Sequence, residues 1–402
     1  HIEHRLVQQW LCESAQDLDA FRDFYRATEV NSASRQLAGS LHTGFQEDWL
    51  RPLLNPPGAH RLAGKDTLVA RAQHEGVQLC SVSDGDGSAA DAARIFHKNG
   101  FVVLLDVLDK AALRRMQALS ADFIRIAVAA NPHGNRGWRR YSLGRTTLVG
   151  AGLALADSFP VCAVLKEIWN SENFSVQCSG GDFSLPGAGA QDLHADVPVK
   201  EVADQLYALP DAANPARTFM ELPTPAVKVY FTMVDLDNST GPPRFVPGSH
   251  ERTAREDVPP PGQEPVSVRA FCPAGSAIIM DQRVWHGGTQ NRSEIARPML
   301  SVHYAGPDYD ESVLKDGGSI PFFGTYYWCY HSGAVLTERF QALSPLCRKL
   351  CTNLCVGASS SGTCANCGKS VARGRTGLPC IGGPRGSWLC LACWVQQRDS
   401  FR

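Results

Sequence analysis

The chain has 402 residues, of which 44% are hydrophobic and 20% charged. That supports packed cores and more than one domain, and it excludes global disorder. A formal net charge of −1 excludes a protein whose whole surface coats nucleic acid or an anionic membrane. No apolar run approaches the roughly 20 residues that span a bilayer, so no membrane span is expected.

Residues 1 to about 75 read as helical, with Leu6, Trp10, Leu11, Leu18, Phe21 and Tyr25 on one face. Asn55-Pro56-Pro57-Gly58 interrupts that pattern, and residues 82–91 read as a linker into a helix. Gly100 precedes a short buried strand, Phe101 to Leu105, and Asp109 is the predicted N-cap of a helix through Leu113, Met116, Leu119 and Ile124. Several β-type runs follow: Phe174–Gln177, Val227–Val234, Ala277–Met280 and Met299–Tyr304. In the second, Val227, Val229 and Phe231 alternate with Lys228, Tyr230 and Thr232, the period of a half-buried strand. Helices followed by many short strands predict a mainly β architecture with flanking helices (α+β), a sandwich or jelly roll. Residues 335–354 read as helical with a restart at Pro345, and 357–362 as a Ser/Gly linker. The predicted units are 1–90 (helical region and linker), 91–335 (β domain), 336–358 (helical linker) and 359–402 (Cys-rich tail).

The chemistry is concentrated in Gln191-Asp-Leu-His194-Ala-Asp196-Val-Pro198. A His and an Asp one residue apart point to the same side of an extended segment and can share a metal. A second His, His286, follows the apolar run Ala277–Met280 in Asp281-Gln-Arg-Val-Trp-His286-Gly-Gly288. Two imidazoles and one carboxylate are the facial triad of non-haem Fe(II) oxygenases, which leaves positions for a co-substrate and dioxygen. Arg297 lies 11 residues beyond His286, where a guanidinium can grip the distal carboxylate of 2-oxoglutarate. The bland alternative is a surface arginine paired with Glu294. His250 and His303 read as structural histidines rather than ligands.

These pieces together resemble the phytanoyl-CoA dioxygenase family of Fe(II)/2-oxoglutarate oxygenases. The resemblance is carried by Asn99 to Leu105, Gln191 to Asp196, Arg244-Phe-Val-Pro-Gly-Ser-His250, Gly275 to Gly288 and Asn291 to Arg297. It implies a double-stranded β-helix (jelly-roll, cupin-like) core. It also implies iron on His194, Asp196 and His286, with 2-oxoglutarate anchored by Arg297 and touched by Gln177. O2 would be the oxidant, and a small anionic or lipid-like substrate would be hydroxylated with release of succinate and CO2. The carboxylate of Asp196 favours hydroxylation over halogenation, because related halogenases carry Ala or Gly there. One departure stands out: Gly288 occupies a place where the family often has a hydroxyl. The segment Asn135-Arg-Gly-Trp138-Arg139-Arg140-Tyr141 is basic and aromatic. It reads either as a site entrance or as a solvated loop with Trp138 packed beneath.

Eight of the 14 cysteines fall between Cys347 and Cys393. That crowding predicts reduced thiols and a metal knuckle in an intracellular, cytoplasmic setting. Cys364-Ala-Asn-Cys367 and Cys390-Leu-Ala-Cys393 are two Cys-x2-Cys pairs 22 residues apart, the pattern of structural Zn(II). The tail resembles a GATA-type zinc finger, with a longer gap and Leu391 in place of the usual Asn. Its six basic and one acidic residues suit phosphate contacts through Lys369, Arg373 and Arg375. A structural knuckle is nonetheless favoured over a reader of nucleic acid. Cys347, Cys351 and Cys355 would share one face of a helix and read as buried apolar residues. Two further readings of the whole are a nucleic-acid or chromatin modifier delivered by the tail, and a non-catalytic binding protein on the same fold.

Overall fold

The computed structural model describes residues 64–130, 133–142, 155–196, 224–251, 258–307 and 335–351, except 86, 135 and 225. It also describes 356–357, 361–372, 377–379 and 388–390. The predicted helical face from Leu6 to Tyr25 lies outside these residues.

The chain runs through α1 (Lys65–His74), β1 (Leu79–Cys80), α2 (Ser88–Asn99), β2 (Phe101–Leu104) and α3 (Lys110–Ala130). Next come β3 (Arg140–Ser142), α4 (Phe159–Trp169), β4 (Ser175–Ser184), β5 (Ala226–Thr232) and β6 (Pro243–Phe245). After these come β7 (Val268–Arg269), β8 (Ala277–Asp281), β9 (His286–Gly288) and β10 (Arg297–Ala305). A last group holds β11 (Val335–Leu336), α5 (Thr337–Ala342), α6 (Pro345–Leu350) and β12 (Val356–Gly357). The tail adds β13 (Ser361–Thr363), β14 (Ser370–Ala372), β15 (Gly377–Pro379) and β16 (Trp388–Cys390).

Local chemistry sets several boundaries. Asp109 Oδ1 accepts hydrogen bonds from the backbone N–H groups of Ala111 and Ala112 at 2.8 and 2.7 Å, capping α3. Gly100 ends α2 with φ +80° while its N–H bonds to the Phe96 carbonyl at 2.7 Å. A side chain at position 100 would also strike the His250 ring, 2.6 Å from the added Cβ. Over 335–351, the described part of the helix predicted for 335–354, the chain instead forms a two-residue strand and two short helices. Pro345 opens the second of these, and Ser344 Oγ caps it by accepting from Cys347 N.

Seven strands form one sheet in the order β1-β2-β8-β5-β10-β4-β3, and three form another in the order β7-β6-β9. The large sheet is antiparallel apart from the β1–β2 pair. Its residues alternate between two environments. Val102, Leu104, Val227, Val229, Phe231, Ile279, Leu300 and Val302 pack against Phe96, Met116, Phe123, Val161 and Leu165 of the helices. Phe101, Val103, Tyr230, Ile278 and Met280 instead pack with Phe245 and Phe271 toward the small sheet. Helices, large sheet and small sheet therefore stack in layers, as a jelly-roll core requires. No helix among the described residues is long and apolar enough to cross a membrane.

Two strand readings need correction. All seven residues of β5 are buried, so the strand is not half-exposed. Its polar members lie between the two sheets, where they have partners. The run expected to end at Gln177 continues to Ser184 through Gly180 and Gly181. Pairing along β10 on one side and β3 on the other supplies what two glycines lack in strand propensity.

Candidate active site

His194 forms an isolated bridge with His286: each backbone N–H donates to the other's carbonyl, at 2.9 and 2.8 Å. His286 opens β9, and Asp196 is tied back by its N–H to the Gln282 carbonyl at 3.0 Å. The turn between β8 and β9 is rigid because Asp281 is bonded three times by Arg283. Its Oδ1 accepts from the backbone N–H and Nε, both at 2.8 Å, and its Oδ2 accepts from Nη2 at 2.6 Å. Burial alone would raise the Asp281 carboxyl, but the Arg283 guanidinium holds it below the usual range.

The three side chains converge. One ligand atom each from His194, Asp196 and His286 lies within 4.8 Å of the others. Both imidazoles have Nδ1 engaged by a backbone carbonyl, His194 with Asp192 at 3.0 Å and His286 with Val284 at 2.9 Å. That contact places the N–H on Nδ1 and leaves the Nε2 lone pair for a metal. Burial, then the neighbouring His194, pull the His286 imidazole down to about 4, so it is neutral at pH 7, as a ligand must be. Burial would raise the Asp196 carboxyl, yet the Lys228 ammonium and then the imidazoles hold it well below the usual carboxylate range. Two imidazoles with Nε2 turned away from the carbonyl contacts and an ionised carboxylate fit a divalent first-row metal, Fe(II) among them.

Arg297 is no surface residue: it is 2% exposed, and no ion pair with Glu294 occurs among the described residues. Its Nη1 donates to the Gly241 carbonyl, while its buried Nε meets no partner among the described residues. Cross-strand register puts Arg140 of β3 and Arg297 of β10 on either side of Ser184 of β4. The Ser184 hydroxyl is also buried and unpartnered among the described residues. Burial, then the Arg140 charge, pull the Arg297 guanidinium down to about 9. A bound anion would relieve both effects. Two guanidiniums, with an N–H and a hydroxyl that lack partners among the described residues, thus make a cradle whose chemistry suits a carboxylate.

Arg140 also resolves the departure at Gly288. A Cβ at Gly288 would lie 2.5 Å from Arg140 Nη1 and 2.7 Å from Gln191 Oε1. The arginine and glutamine therefore fill the space that a side chain at 288 would need. Arg140 is held by the carbonyls of Gly189 and Thr289. It does not belong to a solvated loop, and Trp138 is the residue that faces solvent, at 59% exposure. Trp138 stacks on His133 with ring centroids 5.6 Å apart, beside the Arg139 guanidinium.

Gln177 falls on β4 at a bulge. Residues 178 and 176 pair with His303 and Tyr304, which leaves Gln177 as the extra residue without a partner in the ladder. His250 is structural, with Nε2 3.1 Å from the His97 carbonyl. His303 lies in the sheet beside Gln282, at 3.3 Å. Sequence reasoning overlooked Lys228, Tyr230 and Asp182. The alternation in β5 placed the first two opposite the apolar face, but only the layering shows that this face lines the site.

In the tail, Cys364 and Cys367 share a turn between β13 and β14, closed by Cys364 N to the Lys369 carbonyl at 2.8 Å and Gly368 N to the Cys364 carbonyl at 2.9 Å. β16, which ends at Cys390, packs against both of those strands. Cys393 and the Cys390 side chain lie outside the described residues. Cys347 and Cys351 are buried, with sulfurs 4.0 Å apart, and Cys355 lies outside the described residues.

The phytanoyl-CoA dioxygenase family model matches residues 96–299, just over half of the chain; His194, Asp196, His286, Arg297, Arg140 and Gln177 lie within that segment, and His303 and the tail cysteines lie beyond it. The chain belongs to the phytanoyl-CoA dioxygenase family. Among curated proteins it is 25% identical to dioxygenase cdmA of Talaromyces verruculosus over 236 residues, covering 55% of this chain and 74% of that protein. It is 28% identical to dioxygenase trt7 of Aspergillus terreus over 118 residues, covering 29% of this chain and 36% of that protein. Similar solved structures include the epimerase SnoN from nogalamycin biosynthesis, at 18% identity and TM-score 0.40, covering 55% of this chain and 83% of that one. EctD from S. alaskensis is 16% identical with TM-score 0.41, covering 56% of this chain and 78% of that one. In this phytanoyl-CoA dioxygenase-family chain, the metal-ligand cluster and the arginine cradle both fall inside the matched segment.

Proposed function

We propose that the protein is an Fe(II)- and 2-oxoglutarate-dependent dioxygenase that hydroxylates a small organic substrate. The observation that carries this reading is the His194–Asp196–His286 cluster, with both Nε2 atoms free to bind and a buried, partly unpartnered arginine cradle in the same inter-sheet space. Family membership and the dioxygenase relatives add support.

Iron, when bound, supplies the oxidation: a substrate C–H, O2 and 2-oxoglutarate become C–OH, succinate and CO2. His194 and His286 would present Nε2 donors and Asp196 an anionic oxygen, which together would hold the cation. Arg297, with Arg140 and Ser184, binds the distal carboxylate of 2-oxoglutarate and so orients its other end toward the metal. Gln177 is a further co-substrate contact in this reading. The two sheets exclude bulk water around these charges. Substrate size and polarity would be set around Trp138 and Arg139, whose ring and guanidinium favour an anionic or amphipathic molecule.

For the tail we propose one structural Zn(II) on Cys364, Cys367, Cys390 and Cys393, supported by the shared turn of the first pair and by the packing of β16 on that hairpin. The test of the main reading is anaerobic titration of metal-free protein with Fe(II) and then 2-oxoglutarate, followed by visible absorption. The expected result is the weak charge-transfer band of chelated 2-oxoglutarate. Iron binding with no band would overturn the reading.

A further inference from the structure

We propose that Lys228 is a positioning residue that restricts Asp196 to one oxygen toward the metal, an inference that rests on the iron reading above. The two oxygens of Asp196 face different partners. Oδ1 lies 3.7 Å from His286 Nε2, on the side where the ligand atoms converge. Oδ2 lies 3.3 Å from Lys228 Nζ.

The lysine is itself held in place. Its Nζ is 3.4 Å from Asp182 Oδ2 and 4.5 Å from the centre of the Tyr230 ring. The Tyr230 hydroxyl donates to the same Asp182 oxygen at 2.9 Å. The Lys228 backbone stands mid-sheet, opposite His303 on β10 and Met280 on β8. The side chains of Lys228 and Asp196 are only 11% and 15% exposed, so water competes weakly for the contact.

This matters because a carboxylate can grip a cation through one oxygen or through both. A two-oxygen grip would consume one of the positions that the facial triad leaves open. Chelating 2-oxoglutarate and dioxygen need all of those positions. By occupying Oδ2, Lys228 keeps the count right. A lysine that merely balanced two buried carboxylates would affect stability and leave the coordination unchanged.

The test compares wild type, Lys228→Met and Lys228→Arg in anaerobic titrations with Fe(II) and then 2-oxoglutarate, read by the charge-transfer band. Lys228→Met is expected to bind Fe(II) at least as tightly as wild type. Its 2-oxoglutarate affinity should fall roughly tenfold or more, with a weakened or shifted band, because the released Asp196 oxygen then takes a position that the chelating co-substrate needs. Lys228→Arg, which keeps a cation, should restore most of the band. A Lys228→Met protein with the wild-type band and affinity would overturn the proposal. So would a folded Lys228→Met protein that no longer binds Fe(II), since the lysine would then be holding the whole ligand. Should Lys228→Met fail to fold, Lys228→Gln keeps an N–H donor without the charge and is read by the same criteria. A wild-type protein that binds iron without a band overturns the oxygenase reading, and the lysine's role with it. A wild-type band with an unaltered variant overturns the lysine's role alone.

Discussion

In the reading proposed above, the inter-sheet site and the Cys-rich tail are two answers to the problem of holding a metal. In the core, ligands far apart in sequence, at 194–196 and 286, are brought together by the packing of two sheets. In the tail, each pair of thiols is local to one Cys-x2-Cys segment, and the described strands β13 to β16 are only three residues long. A site carried by a prior scaffold can leave coordination positions open for chemistry. The proposed zinc would staple these short strands, and a structural site of that kind is closed. The comparison predicts that the two metals are independent.

The sharpest way to break it is to remove one site and assay the other. His194→Ala or Asp196→Ala should abolish 2-oxoglutarate turnover and core iron while leaving about one zinc per chain, measured by elemental analysis. Conversely, a Cys364→Ser/Cys367→Ser double variant should lose that zinc and keep the charge-transfer band. Loss of the band would show that the tail supports the core site.

Smaller effects test the scaffold itself. Asp281→Asn leaves Arg283 buried without its counter-charge. It should cost about 3–5 kcal/mol in denaturant unfolding, the usual result of breaking a buried pair. Arg297→Ala should weaken 2-oxoglutarate by roughly ten- to a hundredfold, matching about 1.5–3 kcal/mol for hydrogen bonds to a charged group. Iron affinity should be unchanged, and an unchanged 2-oxoglutarate affinity would remove Arg297 from the cradle. Gly288→Ala should weaken 2-oxoglutarate to a lesser degree, because the new Cβ displaces the tip of Arg140.

The smallest effect is on pH dependence. Burial pushes the His250 imidazole below its ordinary value, against the pull of the nearby Asp281 carboxylate, while the Arg283 charge adds to the depression and Glu251 opposes it. The unfolded chain therefore takes up a proton that the folded chain refuses. Stability from this group is complete above about pH 6.5, the ordinary imidazole value, and declines as pH falls below it. Thermal melts across that range should show a shallower slope in His250→Gln than in wild type.

Much of this was legible in the sequence. His194, Asp196, His286 and Arg297 stood out because ligand chemistry demands particular residue types at short spacings, beside apolar runs able to hold them. The Asp109 cap and the strands at 101–104 and 277–281 followed from local signals of the same kind. The full length of β4 did not, because Gly180 and Gly181 carry no strand signal and only pairing with β10 makes them extended.

What the sequence by itself determined is the identity of the donors: imidazole, carboxylate, guanidinium and thiol, in a chain apolar enough to bury them. What only the tertiary structure decided is which face of each strand is inside. The polar alternates of β5 look like a solvent face in one dimension, and the small sheet covers them in three. That burial turns Lys228, Tyr230 and Asp182 into one network around Asp196, and it sets Arg140 against Gly288 from 148 positions away in the chain. Alternation is a local property of a strand. What lies above each face is a property of topology, and no spacing rule along a single chain encodes it.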